Sequence, residues 1–203
     1  MSAIVERRPL PRMVQGHGDT VWWGVLFMIV IEAAVFASLI LSYFYLRARA
    51  EAWPLGDIDP PALLLPTLNS LILLASVLPV AWADRAARRG DRRRLLIGKH
   101  VAQALLVVFL VVKVIEYSGY DYNWRTNAYG SLVWTMTGLH VAHVVVVLLK
   151  SGVVTALAWK RYFGPSRYVG VQANALYWYF VAAIWIPLYA TIYLTPHVLQ
   201  RGP

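Results

Sequence analysis

Residues 21–43 read VWWGVLFMIVIEAAVFASLILSY, an apolar stretch in which Glu32 is the one charged residue. A transmembrane helix needs about 20 mainly apolar residues to cross roughly 30 Å of hydrocarbon. The stretch is too long for the apolar part of a signal peptide, and it is followed by no small-residue cleavage site. It therefore predicts a membrane-spanning helix, and we expect no cleaved signal peptide.

Four further apolar stretches follow, separated by short connections that contain proline, glycine and charged residues. Short loops make consecutive helices antiparallel neighbours. We predict an all-α integral membrane bundle of five transmembrane helices, over residues 21–47, 62–83, 95–117, 128–159 and 174–195. Residues 1–20 form the predicted cytoplasmic N-terminal segment, residues 21–198 the transmembrane domain, and residues 199–203 the C-terminal tail.

The composition agrees with a membrane protein, because 59% of the residues are hydrophobic, 14% are charged and the mean hydropathy is +0.55. Soluble domains are about half apolar and a quarter charged. The chain has no cysteine. This excludes disulfides, iron–sulfur clusters, cysteine-ligated zinc and the thiolate-bridged copper centre of an oxidase. Neither a phosphate-binding glycine loop nor a serine nucleophile elbow is present.

The formal net charge of +9 comes from basic residues between the apolar stretches rather than from a basic domain, so we predict no nucleic-acid binding. Arginine and lysine alternate between abundant and sparse along successive connections. By the positive-inside rule, this predicts a cytoplasmic N-terminus and an external C-terminus. The basic residues on the predicted cytoplasmic side are Arg7, Arg8, Arg12, Arg85, Arg88, Arg89, Arg92, Arg93, Arg94, Lys160, Arg161 and Arg167.

Glu32 lies roughly 15 Å from the cytoplasmic end of the first predicted span, which is close to the middle of the bilayer. An ionised carboxylate there costs several kcal/mol unless it is paired or neutralised. Two interpretations are open. Glu32 is either a proton-linked or lipid-contacting carboxyl, or a neutral carboxyl that is hydrogen-bonded between helices.

His140 and His143 lie on one face of the fourth predicted span, also near mid-membrane. They can bind a metal, pair with Glu32, or tie helices together through hydrogen bonds. We favour the hydrogen-bonded role and predict no metal site, because the chain has five histidines and His100, nearer the cytoplasmic side, is the remaining one within a span. As a hypothesis, His140 or His143 hydrogen-bonds Glu32.

We single out three further polar residues within the predicted spans. Lys113 and Glu116 are three residues apart near the outer end of the third span, where they can pair or extend toward the membrane surface. We favour an interfacial ion pair over a transport site. Asn69, in the second span, carries an amide that can bond to a neighbouring helix. Pro187 is expected to kink the fifth helix.

Short motifs on all five predicted spans resemble subunit III of the haem–copper oxidases, over roughly residues 22–196. The resemblance rests on the order and spacing of these motifs more than on any single motif. They are Glu32 followed by SYFYLR (42–47), LPTLNS (65–70), KVIEY (113–117), NAYGS (127–131), TGLHVAHV (137–144) and YWYFV (177–181) with Trp185. The number of helices is similar to the short five-helix bacterial form of that family.

The sequence departs from the family pattern at four positions in or next to these motifs, one of which is Val35, where phenylalanine is common. Tyr179 stands where the family usually has histidine, and Ala182 where it usually has aspartate. Lys113 replaces a usual glutamine. The resemblance therefore implies no role for this chain that requires that histidine and aspartate.

The resemblance implies a non-catalytic subunit of an aerobic terminal oxidase, a cytochrome c oxidase, in a bacterial inner membrane. Haem and copper belong to subunits I and II, the implied partners, with subunit I as the main contact. Subunit III supports proton uptake, binds phospholipids and protects subunit I from inactivation during turnover. The resemblance associates Glu32 with the proton- and lipid-linked region, with His140 and His143 as its candidate partners, and no cofactor bound by this chain.

Two alternatives to a cytochrome c oxidase subunit remain at this point. The closer is the equivalent subunit of a quinol oxidase or the protein that accompanies nitric oxide reductase, because no residue of this chain identifies the electron donor. The other is a small proton or ion transporter in which Glu32 and the two histidines line the path. A transporter predicts flux through the isolated chain in liposomes, whereas a subunit predicts co-purification with haem-containing partners.

Overall fold

The structure, a computed structural model, describes residues 18–56 and 58–198 and contains no β-strand in these ranges. Arg7, Arg8 and Arg12 of the predicted cytoplasmic segment, and the predicted tail at 199–203, lie outside them. The helices are α1 (Thr20–Arg49), α2 (Leu64–Ala75), α3 (Val77–Arg88), α4 (Arg92–Ser118), α5 (Ala128–Trp159), α6 (Val169–Tyr189) and α7 (Thr195–Val198), with a π-helical segment at Ala190–Leu194.

Five helical units in the described part of the chain are long and apolar enough to cross a membrane. They are α1, α2 with α3, α4, α5, and α6 with its π-helical segment and α7, which confirms the predicted all-α five-span fold. The last unit begins at Val169 rather than at the predicted residue 174. Gln172 and Asn174 are polar, but both side chains are buried in the bundle, so the helix includes them.

Polar residues immediately before three of the helices explain where those helices begin. The Asp19 carboxylate accepts a hydrogen bond from the Val21 amide, and the Asp91 carboxylate accepts one from the Arg94 amide. The Asn127 side-chain oxygen accepts one from the amide of Gly130. Each of these residues satisfies a backbone N–H that has no partner within the first turn of a helix.

The second span is two helices, separated at Ser76, and not the single helix predicted from its hydropathy. Pro79 is the physical reason, since it has no N–H to donate to the carbonyl of Ala75 one turn earlier. Ser76 stabilises the break from both sides. Its hydroxyl donates to the Leu73 carbonyl at 2.6 Å and accepts from the Trp178 indole at 2.9 Å.

The fifth span passes through Pro187 and then widens into the π-helical segment Ala190–Leu194. The missing proline N–H again leaves one carbonyl of the preceding turn without its helical partner. Short π-helical segments are frequent at functional sites because they re-aim side chains. Here the segment buries Tyr193, which belongs to the polar network described below.

Helix α1 lies at the edge of the bundle, whereas the later helices form its core. Only 6% of the most apolar window of α1 is buried, compared with 50% for the last span. Phe36 and Tyr43 are the residues of α1 that enter the core, where they join the large buried side chains Phe109, Trp178 and Trp185. The other faces of α1 are apolar and exposed, so they contact lipid or another polypeptide.

The two internal connections rich in arginine and lysine meet at one end of the bundle. The Arg92 guanidinium donates to the backbone carbonyls of Ala158 and Trp159, at 3.0 and 2.8 Å. Gly90 approaches Pro165 so closely that a Cβ atom at this glycine would lie 3.0 Å from the proline ring. Both basic connections therefore face the same side of the membrane, which the predicted topology requires, while which side this is stays a prediction.

Gly98 permits the close approach of α4 to α3 and gives a first test of the packing. A Cβ atom here would lie 2.8 Å from the Pro79 carbonyl oxygen and 3.0 Å from the Ala83 Cβ atom. We expect Gly98→Ala to lower the free energy of unfolding by about 1–3 kcal/mol, as overpacked cores do. Equilibrium denaturation in mixed micelles measures this change.

Gly152→Ala is the matched control, because no atom lies within 4 Å of the Cβ position at Gly152 in α5. It should leave stability unchanged or raise it by up to about 1 kcal/mol, since alanine is the better helix former. If the two substitutions changed the free energy of unfolding equally, the contact between α3 and α4 at Gly98 would not be tightly packed.

Candidate functional site

The Glu32 carboxyl lies between α1, α5 and α6, with 22% of its side chain exposed. The Tyr177 hydroxyl of α6 donates a hydrogen bond to Glu32 Oε1 at 3.2 Å. His143 of α5 places its Nε2 atom 3.6 Å from Glu32 Oε2. Three helices thus meet at one carboxyl near the middle of the first span.

His143 is held in a defined protonation pattern by its own helix. Its Nδ1 atom lies 2.6 Å from the Leu139 carbonyl oxygen, which can only accept, so Nδ1 carries a proton. The Phe36 ring packs against the imidazole at 5.1 Å between ring centres. Nε2 is consequently the ring atom whose proton is exchangeable, and it faces Glu32. At 3.6 Å the two atoms lie beyond hydrogen-bond distance, so His143 and Glu32 are close neighbours and do not form the hydrogen bond that the hypothesis placed between them.

His140 turns away from Glu32, into the core between α4 and α6. It is fully buried, and its Nε2 atom donates to the Val181 carbonyl at 3.0 Å. The Trp185 ring lies 4.5 Å from the imidazole between centres. His140 therefore ties α5 to α6, as the hydrogen-bonded interpretation predicts, and of the two histidines it is His143 that approaches Glu32.

A second polar network lies toward the outer end of the bundle, around the pair Lys113 and Glu116. Lys113 Nζ is 2.9 Å from Glu116 Oε2 and also donates to the Tyr193 hydroxyl at 2.8 Å. The hydroxyls of Tyr193 and Tyr120 both donate to Glu116 Oε1, the latter at 2.6 Å. The Lys113 ammonium also lies 4.8 Å from the centre of the Trp185 ring.

Burial distinguishes this network from the predicted interfacial pair. Lys113 is 1% exposed and Glu116 7%. The prediction that they pair is confirmed, but the alternative in which Lys113 extends toward the membrane surface is wrong. The physical reason is that Tyr193, Tyr120 and Trp185 enclose the ammonium and the carboxylate, so the helix turns both inward. Sequence spacing alone does not reveal this direction.

A cavity of about 590 Å³ opens beside Glu116, between the first and third connections. Asp59, Asp121 and Tyr122 line it, together with Tyr193. Burial raises the pKa of the Tyr122 phenol to about 12. Burial, with the neighbouring Glu116 carboxylate, also raises the pKa of Tyr120. Both phenols are therefore neutral hydrogen-bond donors at physiological pH.

Asn69 makes the kind of bond that its position suggests. Its side-chain amide donates to the Phe109 carbonyl at 3.2 Å and so links α2 to α4. It is 1% exposed and lies apart from both ionisable groups described above. We interpret Asn69 as a structural bridge between helices.

Four residues in these surroundings were not singled out by sequence reasoning as site residues. Lys99 is 1% exposed and donates a hydrogen bond to the side-chain oxygen of Asn174. Tyr177 contacts Glu32, and Lys150 lies over the Tyr177 ring at 4.3 Å. Both lysines are ionisable residues inside predicted spans, and that signal was available from the sequence. Nothing in the sequence distinguishes Tyr177 from other aromatic residues of α6.

No group of three histidine, aspartate or glutamate side chains in the described ranges is placed to hold a metal ion. The family model for cytochrome c oxidase subunit III matches residues 14–196. The chain belongs to the cytochrome c oxidase subunit III family. It is thus a multi-pass membrane protein and a subunit III of a haem–copper oxidase, which is a multisubunit complex.

Relatives from bacteria and mammals are similar to this subunit III over most of its length. Cytochrome c oxidase subunit 3 of Thermostichus vulcanus is 32% identical, over 88% of this chain and 89% of that protein. The protein of the same name from Synechocystis sp. is 31% identical, over 88% and 77% of the two chains. That from Sus scrofa is 30% identical, over 88% and 73%.

Two of the positions at which this subunit departs from the usual family residues lie on α6. Tyr179 is partly buried against the core, and Ala182 lies within it at 2% exposure. An alanine at position 182 introduces no buried charge, so this part of α6 needs no counter-ion.

Proposed function

We propose that this chain is the non-catalytic subunit III of an aerobic terminal oxidase, a cytochrome c oxidase, in a bacterial inner membrane. Its N-terminus is cytoplasmic, subunit I is its main contact and subunit II a further partner. Haem and copper reside in those partners. The names of its relatives, the cyanobacterial source of two of them and the basic connections at one end of the bundle support this proposal.

The proposed role of the site is to hold and exchange a proton next to the catalytic subunit. The arrangement that carries it is the Glu32 carboxyl at mid-span, which accepts from Tyr177 and faces the exchangeable proton position of His143. A protonated Glu32 and a neutral His143 carry no net charge together, and release of the proton leaves a carboxylate that faces the Tyr177 hydroxyl, a hydrogen-bond donor. We propose that this supports proton uptake and protects subunit I during turnover.

Phospholipid contact is the second part of the proposal, and it rests on the outer surface of α1. Phe27, Val30, Ile31 and Leu41 are exposed and apolar, and they flank the level of Glu32. Acyl chains match such a surface, because neither requires hydrogen bonds. The Lys113–Glu116 network and Asn69 are proposed as structural elements that keep α2, α4 and the last span together.

The experiment is a comparison of purified oxidase complexes with wild-type subunit and with Glu32→Gln. We expect the variant to complete at least about fivefold fewer turnovers before it inactivates. A fivefold effect is at the lower end of the range that is typical of coupling between two sites in a protein. Glutamine keeps the size and can still accept from Tyr177, but it cannot carry the exchangeable proton. Oxygen consumption and proton uptake are recorded until activity ceases.

Glu51→Gln is the control, because Glu51 is an exposed acid in the first connection and its removal changes the charge equally. This variant should match the wild type. A Glu32→Gln complex that completes as many turnovers before inactivation as the wild type, with unchanged proton uptake, would contradict the proposed role. The absence of haem absorption bands from the complex that co-purifies with the chain would contradict the proposed partners.

A further inference from the structure

Three buried polar side chains from three helices lie together, apart from the Glu32 site and from the Lys113–Glu116 network. Lys99 of α4 is 1% exposed, Asp84 of α3 is 9% and Asn174 of α6 is 2%. The Lys99 ammonium donates to the side-chain oxygen of Asn174. A Cβ atom at Gly98 would lie 3.0 Å from the Ala83 Cβ atom, so the next residues, Lys99 and Asp84, are at the same level of α3 and α4. The Asp84 carboxylate also acts electrostatically on the ammonium.

The hydrogen-bonding capacity of Lys99 and Asn174 is only partly used within the described ranges. An ammonium has three donors, and the hydrogen bond that Lys99 makes there goes to Asn174. Because an ammonium can only donate, the atom of Asn174 that faces it is the oxygen Oδ1. This fixes the orientation of the amide. The Asn174 Nδ2 atom is buried and has no acceptor among the described residues.

The Asp84 carboxylate is likewise satisfied on one side. Its Oδ2 atom accepts from the Arg88 guanidinium at 2.8 Å. Its Oδ1 atom is buried and accepts no hydrogen bond from the part of the chain that the structure describes. Neither oxygen lies within 4.0 Å of Lys99 Nζ, so the ammonium and the carboxylate attract each other without direct contact.

The chemistry of these atoms selects the class of ligand that fits between them. The ammonium disfavours a metal cation, the carboxylate disfavours an anion, and an acyl chain offers no hydrogen bond. Water can accept from Lys99 Nζ and Asn174 Nδ2 and donate to Asp84 Oδ1. These are three hydrogen bonds, the number that a buried water typically makes to polar groups without another partner.

We propose that Lys99, Asn174 and Asp84 form an internal water site, in which ordered water bridges the buried ammonium to the carboxylate. The site joins α3, α4 and α6 and allows the bundle to keep a buried cation without a direct ion pair. The contacts continue to the Arg88 side chain, which is 45% exposed. This inference goes beyond the proposed function and does not depend on it, because it involves neither Glu32 nor His143.

The test is an electron cryo-microscopy map of the intact oxidase complex, at a resolution that shows ordered water. We expect one peak, or two peaks linked by a hydrogen bond, within about 2.5–3.2 Å of Lys99 Nζ and of Asp84 Oδ1. In Lys99→Met, which removes the donor and keeps an unbranched side chain, this density should be lost. Lys160→Met removes a lysine charge at an exposed position and should retain it.

A double-variant comparison supplies a second measurement on the same complex. Lys99→Met and Asp84→Asn should each lower the midpoint of thermal unfolding. The double variant should lose less than the sum of the two shifts, because either substitution alone already breaks the bridge. Lys160→Met combined with Asp84→Asn should show additive shifts.

A wild-type map with no density between Lys99 and Asp84, or with the two in direct contact, would overturn the inference. Density for a lipid head group at this position would also overturn it, and so would additive shifts of Lys99→Met and Asp84→Asn. If Lys99→Met does not assemble, the wild-type map decides the question. None of these results bears on the proposed role of Glu32, which the turnover experiment tests separately.

Discussion

Replacing Lys113 with methionine is expected to lower the free energy of unfolding by about 3–5 kcal/mol, the cost of leaving a buried charge without its partner. Glu116 is 7% exposed, and its carboxylate would lose the ammonium 2.9 Å away. The hydroxyls of Tyr120 and Tyr193 would remain as donors but carry no charge. Denaturation in mixed micelles, followed by circular dichroism, measures the change.

Two controls make this prediction specific to burial. Asp91 and Arg94 form an ion pair with the same spacing at the start of the same helix, where the Arg94 side chain is 58% exposed and the Asp91 side chain 36%. Arg94→Met should therefore cost no more than about 1 kcal/mol. The double variant Lys113→Met with Glu116→Gln should recover most of the lost stability, since no charge then stays buried. Similar losses in Arg94→Met and Lys113→Met would contradict the assignment of a buried pair.

Trp185→Ala is expected to destabilise the bundle by about 3–5 kcal/mol, as large buried aromatic residues do when truncated. The indole is 1% exposed and donates to the Ser70 hydroxyl at 2.7 Å, which links the last span to α2. It also packs on His140 and lies beside the Lys113 ammonium. Its loss would open a cavity beside His140 and Lys113, the two polar core residues that the indole ring lies next to.

Two control variants test this prediction, Trp185→Phe and Trp124→Ala. Phenylalanine keeps most of the volume but loses the bond to Ser70, so we expect an intermediate loss of about 1–3 kcal/mol. Trp124 lies in the third connection and is 59% exposed, so its truncation should cost less than about 1 kcal/mol. If truncation at position 124 cost as much as at position 185, the indole of Trp185 would not be a central element of the core.

The number and order of the spans could be predicted from the sequence, because hydropathy is a local property and the bilayer sets the required length. The interruptions were only partly predictable. Pro187 was visible inside an apolar stretch, whereas the break at Ser76 depends on Pro79 together with the Trp178 indole from a distant helix. Similarly, the early start of α6 depends on the burial of Gln172 and Asn174, which no local pattern reports.

The candidate site, too, was only partly predictable from the sequence. Glu32, His143 and Lys113 were recognisable because an ionisable residue in an apolar span requires compensation. Which group compensates which was not recognisable, since the partners lie on other helices. Tyr177 is separated from Glu32 by more than one hundred positions, and only the contact between α1 and α6 brings the two together. The different surroundings of His140 and His143 likewise follow from the helices on either side of α5.

The sequence by itself determined that this protein spans a membrane five times, that it carries an acid at mid-span, and that its motifs are those of an oxidase subunit III. Hydrophobicity and motif spacing are properties of the linear sequence, so they can be read without knowing which helices are neighbours. Only the tertiary structure decided that Glu32 faces His143 and Tyr177 and that the Lys113–Glu116 pair is enclosed. Those relations depend on the rotation and depth of one helix against another, which packing of the whole bundle sets.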